Sequence, residues 1–172
     1  MNFRKIFWLQ ACFFILFGLP VALHAQVITT NPVYPVDTDS ATIIFDATLG
    51  DGGLNNVPPP IYAHTGVITS LSTSSSDWKY VVAAWGVNLP KALMTPLGNN
   101  KYKLTLKPSI RDYYGVPAGE QILKIAFVFR NSDGSKAGKD VNSADIFADV
   151  YDSVMSVNIV LPARNALFLH QN

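Results

Sequence analysis

Residues 41–47 have the sequence Ala-Thr-Ile-Ile-Phe-Asp-Ala, and this stretch indicates the fold class. It is rich in β-branched and aromatic side chains. Turn-forming residues flank it on both sides, with Asp-Thr-Asp-Ser at 37–40 and Gly-Asp-Gly-Gly at 50–53. Short apolar runs bounded by such residues are typical of β-strands. The stretch therefore predicts a strand.

Similar short runs follow along the chain. We predict further strands at residues 61–67, 80–85, 102–107, 122–130 and 145–151, and a weaker one at 93–95. About seven short strands separated by turn residues are typical of an antiparallel sandwich. The only helix expected is one short turn at residues 109–114, which follows Pro108 and is stopped by Gly115. The predicted fold class is all-β, an immunoglobulin-like antiparallel β-sandwich.

Alternation of apolar and polar residues indicates which strand faces are buried. Leu104 and Leu106 alternate with lysine and threonine, which is the period-two pattern of a strand with one buried face. Residues 125–129 are apolar throughout, so we expect a central strand covered on both faces. Hairpin turns are expected at Leu-Gly-Asn-Asn (97–100) and Ser-Asp-Gly-Ser (132–135). The core candidates are Ile43, Phe45, Val82, Leu104, Leu106, Ile125, Phe127 and Phe129.

The first 25 residues have the layout of an export signal. Arg4 and Lys5 precede an apolar run at residues 6–23 that ends in Ala-Leu-His-Ala. A membrane anchor is the competing interpretation, but Pro20 and the small-residue site favour cleavage between Ala25 and Gln26. The apolar run continues past Cys12, which disfavours lipidation there. We therefore predict a protein that is secreted or displayed on the outer cell surface.

Composition narrows the class of ligand. Lysine and arginine number 13, and two of them lie in the leader, so the mature chain has 11 bases against 12 acids. It has no cysteine, because the single one is Cys12, and a disulfide framework is excluded. The sequence has no cluster of basic residues of the kind that indicates nucleic-acid binding. With 15% charged and 12% aromatic residues, the chain suits a neutral ligand such as a sugar.

The C-terminal tail suggests that the chain continues into another domain. It contains a second extended apolar stretch and ends in Leu-Phe-Leu-His-Gln-Asn, with nothing evident for it to pair against. We hypothesise that Val157 begins the first strand of a second domain and that the chain is truncated. The predicted organisation is a signal peptide at 1–25, a sandwich domain at 26–153 and the start of a second domain at 154–172.

Catalytic and metal-binding patterns are weak. After the leader the chain has two histidines, His64 and His170, which are far apart, and it lacks a Gly-x-Ser-x-Gly motif. Glycosidases need two carboxylates across a cleft, and spacing alone does not pair the aspartates. We therefore predict no catalytic residue, no metal and no cofactor. The aspartates in question are Asp46, Asp51, Asp77, Asp112, Asp140, Asp145 and Asp149.

The most informative residues for function are aromatic. Alternation places Tyr62 and His64 on one face of a strand, and Trp78 and Tyr80 on one face of the next. Neighbouring strands would then form a surface on which a pyranose ring can stack. Core packing is the alternative for Trp85, and a purely structural strand histidine is the alternative for His64. Trp78 follows a polar loop, so exposure is favoured there.

Several strings resemble a known family. They are Tyr-Ala-His-Thr-Gly from residue 62, Ser-Asp-Trp-Lys-Tyr-Val from 76, Ala-Trp-Gly from 84, Ser-Ile-Arg-Asp-Tyr-Tyr-Gly-Val-Pro from 109 and Ile-Ala-Phe-Val-Phe-Arg-Asn-Ser-Asp-Gly-Ser from 125. They resemble the N-terminal starch-binding-type module of secreted alpha-amylase-family proteins, and that of starch-utilisation outer-membrane proteins of Gram-negative polysaccharide degraders. The resemblance spans residues 27–151 and implies a carbohydrate-binding-module type of sandwich.

The resemblance also implies a ligand and its site. Such modules clamp α-1,4-glucan between two aromatic rings, assisted by one or two polar side chains. The matching positions here are Tyr62, His64, Trp78 and Trp85, with Lys79 as a candidate hydrogen-bond donor to sugar hydroxyls. One departure matters, because strict alternation places Trp78 and Trp85 on opposite faces unless a bulge or strand end intervenes. The expected function is non-catalytic binding of starch, glycogen or maltooligosaccharide. A hydrolase or immunoglobulin-like domain would follow in the parent chain.

The alternative function is that of an immunoglobulin-like spacer without ligand. A spacer needs no exposed aromatic residues, so exposure of Trp78 and Tyr62 on one surface separates the two hypotheses. An enzyme domain would require converging carboxylates in a deep pocket.

Overall fold

The computed structural model describes residues 26–152. Within them the chain forms eight β-strands, one short α-helix and two 3-10 turns. The elements are β1 (Ile28–Asn31), β2 (Ala41–Asp46), β3 (Ile61–Thr69), a 3-10 turn (Pro90–Ala92), β4 (Thr95–Gly98), β5 (Lys101–Leu106), α1 (Ile110–Tyr114), β6 (Ile122–Asn131), β7 (Ala137–Gly138), a second 3-10 turn (Val141–Ser143) and β8 (Ile146–Asp149).

The strands form two antiparallel sheets. The first has the order β1-β2-β5-β4, with Ile43 opposite Leu104. In the second, β3 lies on one side of β6, and β7 and β8 pair with opposite ends of β6 on its other side. The all-β prediction is confirmed, as are strands near residues 41–47, 61–67, 102–107, 122–130 and 145–151.

The core lies between the two sheets. Phe45 of β2 stacks on Phe129 of β6, with ring centroids 4.0 Å apart, and Phe127 stacks on Phe129 at 5.5 Å. Residues 125–130 of β6 are buried on both faces, which confirms the prediction of a central covered strand. Seven of the eight core candidates are buried, whereas Val82 is half-buried at the edge of the core.

The predicted turns and helix are confirmed. Asn99 and Asn100 both have positive φ at the β4–β5 hairpin, and Gly134 has a φ of 73° at the β6–β7 hairpin. These are the conformations that tight hairpins require. Helix α1 begins after Ser109, whose hydroxyl accepts from the Asp112 amide, and ends at Gly115 in the left-handed conformation.

The predicted strand at residues 80–85 is wrong. Tyr80 has a φ of 50°, which breaks the extended conformation, and residues 80–85 form bends and turns. The weaker strand predicted at 93–95 is displaced, because β4 occupies Thr95–Gly98. Residues 77–94 instead form a long irregular connection along β3. We call residues 77–94 the covering segment.

The predictions for the leader, for its cleavage before Gln26, for Cys12 and for a second domain from residue 154 lie outside the described residues. Within residues 26–152 no helix is long and apolar enough to cross a membrane, and α1 has only five residues.

Candidate ligand-binding site

The site is built on the outer face of β3 and β6. Along β3, Tyr62 and His64 point outward and alternate with the buried core residues Ile61 and Ala63. The antiparallel register places Arg130 of β6 opposite Tyr62, and Val128 opposite His64. The predicted pairing of Tyr62 with His64 on one strand face is therefore confirmed.

The covering segment is attached to β3 by its backbone. The amide and carbonyl of Lys79 both hydrogen-bond to Val67, at 2.8 and 2.9 Å, and the Val82 amide donates to the Thr65 carbonyl at 2.9 Å. Gly66 makes this approach possible, because a Cβ there would lie 2.8 Å from the Lys79 carbonyl oxygen. The segment thus pairs at isolated points and crosses the face instead of adding a strand.

A pocket of about 430 Å³ lies between the covering segment and the sheet. The imidazole of His64 lines it and contacts two indoles. The Trp78 ring stacks on it with centroids 5.7 Å apart, and the Trp85 ring meets it edge-on at 5.2 Å. The lining residues are His64, Ser76, Trp78, Trp85, Val128, Ala137, Lys139 and Asp145.

The two tryptophans face the same pocket. Strict alternation placed them on opposite faces, and this expectation is wrong because the residues between them do not form a strand. The Trp78 indole N–H donates to the Ser75 carbonyl at 3.1 Å, so its own loop orients the ring. Trp85 is 47% exposed and its Nε1 lies over Gly134, where a Cβ would approach to 2.8 Å.

The other two predicted site residues lie outside the pocket lining. Tyr62 is half-buried beneath the guanidinium of Arg130, 5.2 Å from ring centroid to Cζ. The ammonium of Lys79 is 2.9 Å from the Asp77 carboxylate. The hydroxyl of Tyr80 donates to Glu120 at 2.5 Å, and its ring packs against the core instead of beside Trp78.

His64 is held neutral by its surroundings. Burial lowers the pKa of the imidazole below its ordinary value of 6.5, and the nearby Arg130 cation lowers it further. A hydrogen bond with the Ala83 backbone and the charge of Asp145 oppose this shift without cancelling it. At neutral pH the ring therefore has one N–H, which donates to the Ala83 backbone, and one unprotonated nitrogen that is an acceptor.

Polar groups on the pocket wall come from distant parts of the chain. The carboxylate of Asp145 and the ammonium of Lys139 form an ion pair at 3.3 Å, and the exposed Ser76 adds a hydroxyl. Sequence reasoning did not assign these three residues. No local pattern could have found Lys139 and Asp145, because β7 and its connection to β8 meet the covering segment only in the folded chain, whereas Ser76 lies two residues before Trp78.

Arg130 is the other residue that sequence reasoning missed. It is 2% exposed, and its guanidinium donates to the Val87 carbonyl at 2.6 Å and to the Asn88 side chain at 2.9 Å. A signal for it exists, since Arg130 follows the apolar run Ile-Ala-Phe-Val-Phe on the face of Val128. A charge in that position must be buried with hydrogen-bond partners.

The lining offers stacking and hydrogen bonding. Two indoles and an imidazole present apolar rings, while Ser76, Asp145 and Lys139 supply hydroxyl, carboxylate and ammonium groups. Asp145 is the one carboxylate among the lining residues that the structure describes. No cluster of three metal-ligating side chains occurs among residues 26–152.

The comparisons with known proteins bear on family membership. No curated protein sequence matches the chain. A family model described as "Domain of unknown function (DUF8578)" matches residues 28–137, from the start of β1 to the first residue of β7. That range includes His64, Trp78, Trp85 and Arg130 but ends before Lys139 and Asp145. Because the match spans more than half of the sequence, the chain belongs to the DUF8578 family.

Proposed function

We propose that this domain binds α-glucan without catalysis, as the N-terminal module of a secreted or cell-surface starch-degrading protein. The observation that carries the proposal is the pocket of about 430 Å³ in which Trp78 stacks on the His64 ring and Trp85 meets the same ring edge-on. Its volume falls within the range of small-molecule sites, about 300–1,000 Å³. The sandwich of immunoglobulin-like type is part of the same proposal.

A neutral sugar fits the chemistry of the lining. Pyranose rings carry apolar C–H faces that stack on indoles, and hydroxyls that bond to carboxylate, ammonium and imidazole groups. The neutral state of His64 suits this role, because its unprotonated nitrogen accepts a hydrogen bond from a sugar hydroxyl while its N–H bonds to the Ala83 backbone.

The relative orientation of the indoles favours a curved glucan over a flat one. The His64 ring is inclined by 29° to the Trp78 ring and by 75° to the Trp85 ring. The two indole planes are therefore inclined to each other by at least about 46°. A flat β-linked chain such as cellulose needs coplanar rings, whereas successive glucose units of a helical α-1,4-glucan turn relative to each other. The resemblance of the strings around these residues to starch-binding modules supports the same ligand.

The proposal of binding without hydrolysis rests on the carboxylates. Glycosidases use two carboxyl groups, about 5–9.5 Å apart depending on mechanism. Asp145 is the single carboxylate in the described lining, and Lys139 neutralises it at 3.3 Å. A hydrolase activity of the parent protein would belong to another domain.

The alternative is an immunoglobulin-like spacer without a ligand. Trp78 and Tyr62, whose exposure was expected to decide the question, are both half-buried. Trp85 supports binding, because a spacer does not need an indole that is 47% exposed beside a second indole and an imidazole. Binding is therefore the function that the geometry supports best.

Affinity electrophoresis through gels containing amylose, glycogen or cellulose tests the proposal. We expect amylose and glycogen, but not cellulose, to retard the protein. Trp78→Ala should cost about 2 kcal/mol of binding free energy, a loss of more than tenfold. Its melting temperature should change little, because the ring is half-buried outside the core.

Lys103→Ala is the matched control. Lys103 lines a groove of similar volume, about 410 Å³, against β5 of the other sheet, and its loss should leave retardation unchanged. Migration of the wild-type protein that is the same in all gels would overturn the proposal. A Trp78→Ala variant that is retarded like the wild type would reject this pocket as the site.

A further inference from the structure

Arg130 is a buried cation with no carboxylate partner among residues 26–152. It is among the largest fully buried side chains of the described chain, and none of the five ion pairs within residues 26–152 includes it. Burying a charge is costly unless hydrogen bonds and counter-dipoles compensate. The free energy of burying Arg130 therefore depends on the groups that compensate its charge.

Those compensating groups belong to the covering segment and to the β6–β7 hairpin. Nη2 donates to the Val87 carbonyl at 2.6 Å, and Nη1 donates to the Asn88 side chain at 2.9 Å. Nη1 also donates to the carbonyls of Asn131 and Ser132 at 2.9 and 3.3 Å. One planar group thus joins the segment that carries Trp85 to the hairpin on which the Trp85 ring rests.

Two aromatic rings complete the surroundings of the guanidinium. Its Cζ lies 5.2 Å from the Tyr62 ring centroid and 5.9 Å from that of Trp85, within the range of cation–π attraction. The Trp85 ring contacts Arg130 and His64 at once. The position of the Trp85 ring in the pocket therefore depends on the Arg130 guanidinium as well as on the backbone of Trp85.

We propose that Arg130 is the positioning residue of this site, which holds Trp85 and residues 87–88 in the geometry that binds the ligand. This inference rests on the proposed function, since Trp85 is taken to stack on the glucan. Lysine cannot replace Arg130, because a point-charge ammonium cannot donate in two directions in one plane while lying against two rings.

The test uses the full chain with Arg130→Met, Arg130→Lys and a control, Phe127→Leu. The control alters the buried inner face of the same strand without touching the pocket. Maltoheptaose affinity is measured at a temperature where all variants are folded by circular dichroism. A second measurement uses a Trp8→Phe/Trp78→Phe background, in which Trp85 is the only tryptophan of the chain. There, emission maximum and acrylamide quenching report the Trp85 environment directly.

We expect both Arg130 variants to lose about tenfold or more in affinity and to shift the Trp85 emission to longer wavelength with stronger quenching. Phe127→Leu should lower the melting temperature while affinity stays within about twofold and the Trp85 emission is unchanged. Folded Arg130 variants with wild-type emission and quenching would overturn the inference.

The two proposals fail separately. If the wild-type protein does not bind maltoheptaose, the proposed function is rejected, while a shifted Trp85 emission in Arg130→Met still supports the positioning role. If the wild type binds and Arg130→Met binds equally well, the positioning role is rejected and the proposed function stands.

Discussion

Two depressions of nearly equal size lie on opposite sheets of this domain, and their chemistry differs. The pocket on β3 and β6 has a volume of about 430 Å³ and contains two indoles and an imidazole. The groove against β5 has a volume of about 410 Å³ and is lined by Lys91, Lys103 and Lys107 with two threonines. Size alone therefore does not distinguish a candidate site in this fold, and the lining does.

The origin of the two linings also differs. In the groove, Lys103 and Thr105 lie on the outer side of β5 and follow from its strand period, whereas Lys91 at the edge of the groove belongs to the end of the covering segment. The pocket exists because the covering segment, which has no strand period, crosses Gly66 and is held by Arg130. An irregular connection on a regular sheet is thus what produces the concave aromatic surface.

The largest expected effect concerns the core between the two sheets, which supports both surfaces. Phe129 is fully buried and stacks on Phe45 of the other sheet at 4.0 Å. Phe129→Ala should cost about 3–5 kcal/mol of unfolding free energy, measured by urea denaturation, because it leaves a cavity between the sheets. Leu97→Ala, at a position that is 48% exposed on β4, should change it by less than about 0.5 kcal/mol. Equal losses for the two variants would contradict this description of the core.

An effect of intermediate size should distinguish the β4–β5 hairpin from the β6–β7 hairpin. Gly98 and Gly134 both have positive φ, 86° and 73°, so alanine at either position should cost about 1 kcal/mol of stability. A Cβ at Gly98 meets nothing within 4 Å, whereas one at Gly134 meets Trp85 Nε1 at 2.8 Å. Gly134→Ala alone should weaken maltoheptaose binding, by roughly threefold to tenfold, or about 0.7–1.4 kcal/mol. Calorimetric titration that finds equal affinities for the two variants would show that Trp85 does not touch the ligand.

The smallest effect concerns pH and is confined to the aromatic pocket. Because the folded-state pKa of His64 is lowered below 6.5, the unfolded chain takes up a proton at higher pH than the folded chain does. Wild-type stability should therefore fall as the pH decreases through about 6.5 towards that lowered pKa. His64→Gln should remove this part of the pH dependence. Urea denaturation between about pH 7.5 and 5.5 measures it, and parallel curves for the two proteins would contradict the shift.

The sequence by itself determined the local elements of this protein. The β-branched and aromatic run at 41–47, the alternation at 102–107, the apolar run at 125–129, the asparagines at 99–100 and the stop at Gly115 each act within a few residues. Strand period, positive φ and helix termination are local physical requirements, so these strands, the hairpins and the helix were predictable, whereas the strand predicted at 80–85 was wrong and the one at 93–95 was displaced. The sequence also gives the ring types of His64, Trp78 and Trp85, from which a stacking surface was predicted.

Only the tertiary structure decided how those aromatic residues meet. Strand alternation separated Trp78 from Trp85, but the positive φ of Tyr80 and the backbone pairing with β3 bring both indoles to His64. Asp145, Lys139 and Arg130 reach the site from other strands and connections, at sequence separations for which no periodicity exists. The physical reason is that the covering segment obtains its conformation from the sheet beneath it, through Gly66, Val67 and a buried guanidinium, and not from its own backbone preferences.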